Sequence, residues 1–152
     1  MESKVSLTVD LFKTSHEDPN LSTTSSYLDL APLYGSSQAE LDSVRAFADG
    51  KLKPDCFVEE RILGFPPGVS VLMVCFNRFH NYVVGELAAI NEGGRFTPPN
   101  IQSIERMIRA NPPVPTTDDA IAAKVKQKFE LALAKYDNDL FQTARLYILV
   151  AA

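Results

Sequence analysis

The segment from Val69 to Glu92 restricts the fold more than any other part of this chain. Leu72, Phe76, Phe79, Val83, Leu87 and Ile90 step by three or four residues, the spacing that lines up one face of an α-helix. Gly93 and Gly94 follow at once and supply a left-handed stop. Val71, Met73, Val74, Cys75 and Val84 border the stripe, so the first half is apolar almost all round and is expected to be buried among other helices. The apolar run from Val69 to Phe76 breaks at Asn77 and Arg78, far short of the roughly 20 residues that span a bilayer. No transmembrane segment is expected.

The flanking segments supply further helices. Ser37 with Glu40 forms a capping box, followed by Leu41, Val44 and Phe47 at helical spacing up to Gly50. Ile101, Ile104, Met107 and Ile108 mark a short helix that the NPPVP stretch, Asn111 to Pro115, ends. Thr117, Asp118 and Asp119 start another, with Ile121, Val125, Phe129 and Leu133 facing one way and Lys124, Lys126 and Lys128 in water. This helix continues or breaks near Asp137 to Asp139 and resumes through Leu140 to Val150. Segment 51–68 holds three prolines and reads as irregular, and 111–117 as a stiff linker. From Lys4 to Lys13 periods 2 and 3.6 both fit in part, and Thr14 to Ser26 has loop composition. The fold class is mainly α.

Fifteen basic and nineteen acidic residues form no long run of one sign, so nucleic acid is not an indicated partner. Cys56 and Cys75 show no C-x-x-C or ligand spacing and read as buried free thiols. MESKVSLTVDLF lacks the apolar core and cleavage site of a signal peptide. A reducing, cytoplasmic location is expected.

Spacing alone yields no enzyme. The two histidines, His16 and His80, lie far apart in sequence, with no cysteine or second histidine beside either. His16 reads as a solvated loop residue. His80, in NRFHNYV, reads as a core histidine held by hydrogen bonds, with Asn77, Arg78 and Asn81 as polar neighbours. Glu59–Glu60 and Asp118–Asp119 are adjacent in sequence and point in different directions on a helix, so neither is an acid/base pair.

Four stretches carry a resemblance: TSSYLDLAPLYG (Thr24 to Gly35), DGKLKPDCF (Asp49 to Phe57), FNRFHNYVVGELAAINEGGRF (Phe76 to Phe96) and DNDLFQTARL (Asp137 to Leu146). They resemble the animal-type (cyclooxygenase-like) haem peroxidases, in particular the fungal fatty-acid dioxygenase group of linoleate diol synthases and psi-factor-producing oxygenases. The resemblance implies a helical haem peroxidase-like domain, of which residues 1–152 would be an internal fragment. In that family a haem and a tyrosyl radical add dioxygen to unsaturated fatty acids such as linoleate, forming oxylipins; the haem carries the chemistry and the protein orients it.

Carried over residue by residue, the resemblance leaves the haem machinery without its histidines. Where the family has a distal histidine in a segment like HDLFKTS, this chain has VDLFKTS, which puts Val9 at the histidine position and Val5 at that of a glutamine found in related peroxidases. Valine cannot shuttle a proton. The proximal histidine of a YRWH-like motif has no counterpart, so no catalytic residue is assigned and the chain alone is expected to bind no haem. The family's calcium ligands map to Asp10, Ser25, the Tyr27 carbonyl and Asp29, but the last position is Ala31, which leaves a hard cation short of oxygens. The other reading of Asp29 is a cap on backbone amides. Two functions follow: a relative of a fatty-acid dioxygenase that is inactive alone, or a non-catalytic helical module that self-associates through an exposed apolar helix.

Overall fold

The computed structural model describes residues 29–112 and 117–151. Among them the elements are α1 (Ala31–Tyr34), α2 (Gln38–Val44), a 3-10 turn (Glu60–Gly64), α3 (Pro67–Ile90), a second 3-10 turn (Glu92–Gly94), α4 (Ile101–Ala110) and α5 (Asp118–Ala151). No strand occurs among the described residues; the one β-type pairing is an isolated antiparallel bridge between Arg45 and Leu52. None of these helices is long and apolar enough to cross a membrane.

The chain forms two compact units, one of Met1–Val44 with Lys53–Arg78, the other of Arg45–Leu52 with Phe79–Ala152. In the first, Asp29 Oδ1 accepts the Ala31 amide at 3.1 Å, Pro32 sits in the opening turn of α1, and Gly35 at φ +81° closes it. The capping box of α2 forms as its residues dictate: Glu40 N donates to Ser37 Oγ and Ser37 N to Glu40 Oε2, both at 3.3 Å. α2 stops at Val44 rather than running to Gly50, because Phe47, Asp49 and Gly50 all take positive φ, which no right-handed helix tolerates. Segment 51–68 is also less irregular than its prolines suggest. It contains the 3-10 turn, and α3 already begins at Pro67.

In α3 the buried face is offset from the apolar stripe and shares only its edge. Met73, Asn77, His80 and Val84 are buried; of the stripe, Val83 is buried and Phe76 and Leu87 half-buried, whereas Leu72, Phe79 and Ile90 are exposed, Ile90 by 69%. The inward face is therefore turned by one residue, about 100°, and the expectation of a first half buried all round does not hold. The reason is hydrogen bonding: Asn77, His80 and Asn81 all meet backbone partners (below), so burial leaves them satisfied. Cys75 is exposed and Cys56 half-buried, against the expectation of buried thiols, because Cys75 rides on the outward face.

In the second unit, Asn91 at φ 43° ends α3, two residues before the first of the two glycines expected to do so. Asn100 Oδ1 caps α4 through the Gln102 and Ser103 amides, and Thr117 Oγ1 caps α5 through Ala120 N. Ile108, Ile121 and Val125 form one buried cluster with Ile104 against it. α5 is continuous through Asp137–Asp139. Leu133 is half-exposed: α4, at ten residues, is about 15 Å long and covers only the first turns of α5.

Candidate functional site

Buried polar chemistry in the second unit centres on the loop Arg45–Leu52. Asp137, on α5, accepts Gly50 N on Oδ1 and the Arg45 guanidinium on Oδ2, each at 2.6 Å. Arg45 also donates to Asn138 Oδ1 at 3.2 Å. Its guanidinium carbon lies 4.9 Å from the Phe47 ring centre and 4.3 Å from that of Phe141, so a charge removed from water keeps a carboxylate and two aromatic rings as partners.

The loop backbone is held by side chains of α3. Asn81 accepts Leu52 N at 2.8 Å and donates to Leu52 O at 3.1 Å, the pattern a neighbouring strand would offer. His80 Nε2 lies 3.0 Å from Gly50 O; a carbonyl only accepts, so Nε2 carries the proton. The imidazole is fully buried, its ring centre 4.9 Å from that of Phe141. Burial drives its pKa down to about 4, against the bond to Gly50, which raises it. His80 is thus neutral at physiological pH. Gly50 has no substitute here: at φ +71°, a Cβ would stand 2.7 Å from Leu140 Cβ and 2.8 Å from Phe141 N.

The first unit repeats the device. Asn77, fully buried, donates to Lys53 O at 3.0 Å and Cys56 O at 2.9 Å and accepts Asp55 N at 3.2 Å. Arg78 pairs bidentately with Asp55 on the surface, at 2.7 and 2.8 Å, and this holds the Asp55 carboxyl below its ordinary pKa.

Beside Arg45 a cleft of about 530 Å³ opens, lined by Phe47, Asp49, Leu133 and Tyr136 among others, without histidine or cysteine. Burial, with Asp49 adding to it, pushes the Tyr136 phenol up. Haem needs an axial ligand with room for a macrocycle. His80, buried with Nε2 bonded to Gly50 O, offers neither, so the described residues do not fit the group. They hold no cluster of three His, Cys, Asp or Glu able to bind a metal. Of the calcium-like set, Asp29 caps Ala31, while Asp10, Ser25 and Tyr27 lie outside the described residues, as do Val5, Val9 and His16.

Arg45, Gly50 and Asp137 were not singled out by spacing. The available signal is the polar trio Asn77, His80 and Asn81 at i, i+3, i+4 on a largely apolar helix, which marks a face that packs on backbone.

Comparison with known proteins places the chain among relatives of fungal oxygenases. Over 137 residues, 90% of its length, it is 56% identical to psi-producing oxygenase A of Aspergillus fumigatus. Over 140 residues it is 51% identical to the 7,8-linoleate diol synthase of Pyricularia oryzae and 47% identical to the linoleate diol synthase of Gaeumannomyces graminis. The chain is homologous to one stretch of the psi-producing oxygenases and linoleate diol synthases, the group its motifs resemble. It spans about a tenth of the length of these relatives. No family model matches it, and no solved structure does.

Proposed function

We propose that this chain is the scaffold portion of a haem-dependent fatty-acid dioxygenase, a stretch that shapes such an enzyme but does not by itself oxygenate linoleate or another unsaturated fatty acid. The observation that carries this reading is the joint one: 56% identity to a psi-producing oxygenase over 90% of the chain, with His80 and Asn77 turned to loop backbone and Asp137 to Arg45 and the Gly50 amide. His80 holds a loop instead of a metal or a substrate. A cytoplasmic location accords with its free thiols.

The test is optical and chemical. Haemin titrated into the purified chain is expected to give no sharp Soret band, and linoleate with dioxygen no hydroperoxide. A stoichiometric haem spectrum with linoleate oxygenation overturns the proposal.

A second reading, a helical interaction module, rests on a different observation. Leu72, Phe79, Tyr82 and Ile90 are exposed on α3, more apolar surface than one helix face ordinarily gives to water.

A further inference from the structure

The exposed face of α3 has an internal order that apolarity alone does not explain. Counting outward from Tyr82 in both directions, positions three, four and seven residues away fall on the same face of a helix. On the N-terminal side these are Phe79, Arg78 and Cys75; on the C-terminal side they are Gly85, Glu86 and Ala89. All are exposed, as is Tyr82 itself. The two sides differ in kind: one carries a large ring and a cation, the other two small residues and an anion. A Cβ built on Gly85 meets nothing within 4 Å, so the helix surface has an open notch there.

We propose that this face is a homodimer seam, on which a second copy of the chain packs its own α3 antiparallel about a two-fold axis through Tyr82. The inference rests on the interaction-module reading and gives it a partner and a register. An antiparallel two-fold sets each residue n before Tyr82 against the residue n after it in the copy, which is the isologous pairing of a C2 interface. Phe79 then enters the notch over Gly85 of the copy, Cys75 meets Ala89, and Arg78 meets Glu86. Large falls on small and cation on anion, twice over by symmetry. A parallel pairing in register would set Phe79 on Phe79, Arg78 on Arg78 and Glu86 on Glu86, stacking bulk and repelling like charges. Arg78 uses Nε and one terminal nitrogen on Asp55, and its other terminal nitrogen is the donor the Glu86 carboxylate of the copy would meet.

The seam from Cys75 to Ala89 is about 21 Å long at 1.5 Å per residue. A single helix pair of that length falls below the roughly 800 Å² per partner of a standard interface, so the dimer is weak and its formation depends on concentration.

Sedimentation equilibrium of the full chain over about 10 to 300 μM, the range such a small interface demands, should show a shift from one to two monomer masses. Glu86→Arg and Arg78→Glu should each abolish the shift alone, and an equimolar mixture of the two variants should restore it, since only the mixed pair sets every cation against an anion. Tyr82→Cys in a Cys75→Ser background should give a disulfide-linked dimer under mild oxidation. Association that persists in Glu86→Arg, or a dominant Cys75–Cys75 crosslink in the unaltered chain, overturns this register while leaving an interaction module in place. A monomer at every concentration overturns both. Arg78→Glu also gives up the pair with Asp55, so circular dichroism checks the fold of every variant, and Glu86→Arg, which touches no such pair, decides the register by itself if Arg78→Glu unfolds.

Discussion

Arg45 and Asp137 are separated by 92 positions in the chain and meet at 2.6 Å, with side chains only 6% and 9% exposed. The second oxygen of the same carboxylate takes the amide of Gly50. One buried anion therefore ties α5 to both ends of the turn in the Arg45–Leu52 loop.

Removing that anion should be costly in a way that depends on what replaces it. Asp137→Ala leaves a buried guanidinium without its carboxylate, a loss of about 3–5 kcal/mol. Asp137→Asn keeps an oxygen for Gly50 N and should cost less. Urea unfolding followed by far-UV circular dichroism ranks the two.

Two glycines with similar φ should respond differently to alanine. Gly50→Ala adds a Cβ into Leu140 and Phe141 at a positive φ, combining overpacking with backbone strain for roughly 2–5 kcal/mol. Gly93, at φ +62°, has nothing within 4 Å of the added atom, so Gly93→Ala carries only the left-handed penalty of about 1–2 kcal/mol. Their melting temperatures should separate accordingly.

His80 predicts an acid-side loss of stability. Its folded pKa is near 4 against 6.5 when unexposed to burial, so between those values the unfolded chain binds a proton that the folded chain does not. Stability contributed by the neutral ring is whole above about pH 6.5 and falls as pH drops towards 4, by up to about 3 kcal/mol. Asp55, whose pKa is lowered by Arg78, loses its contribution only as pH falls below the ordinary carboxylate range, a separate window. His80→Gln, which keeps an N–H for Gly50 O but does not titrate, should flatten the slope between about pH 6.5 and 4 in denaturation curves. An unchanged slope would assign it to another group.

On α3, the polar positions should matter more than the apolar ones. Asn77→Ala strands two carbonyls and an amide in the interior and should cost about 2–4 kcal/mol. Leu72→Ala, on the outward face, should stay within about 0.5–1 kcal/mol. Denaturant midpoints for the two variants settle the order.

The helices were legible because their signals are local. Ser37 and Glu40 announce α2 and make the reciprocal bonds expected of them, and Thr117 starts α5 as read. The orientation of α3 was not legible, since hydrophobic periodicity ranks faces by apolarity and does not register that an amide can be matched to a backbone 20 to 30 residues away. The same blindness hid Arg45 and Asp137, whose pairing exists only once α5 and the loop are in place. The carboxylate and hydroxyl positions that the resemblance offered as calcium ligands lie, apart from Asp29, outside the described residues.

The way Asn77, His80 and Asn81 grip backbone has a consequence for how such chains can diverge. A side chain that binds N–H and C=O groups is indifferent to which residue carries them. Loop positions such as Lys51 and Lys53 are thus free to drift without losing these contacts, while the template that moulds the loop is written elsewhere, in three polar letters on α3. A saturation scan of this chain should find its least tolerant helix columns at those letters and not at the leucines, so that a hydropathy plot would mark the wrong residues as indispensable.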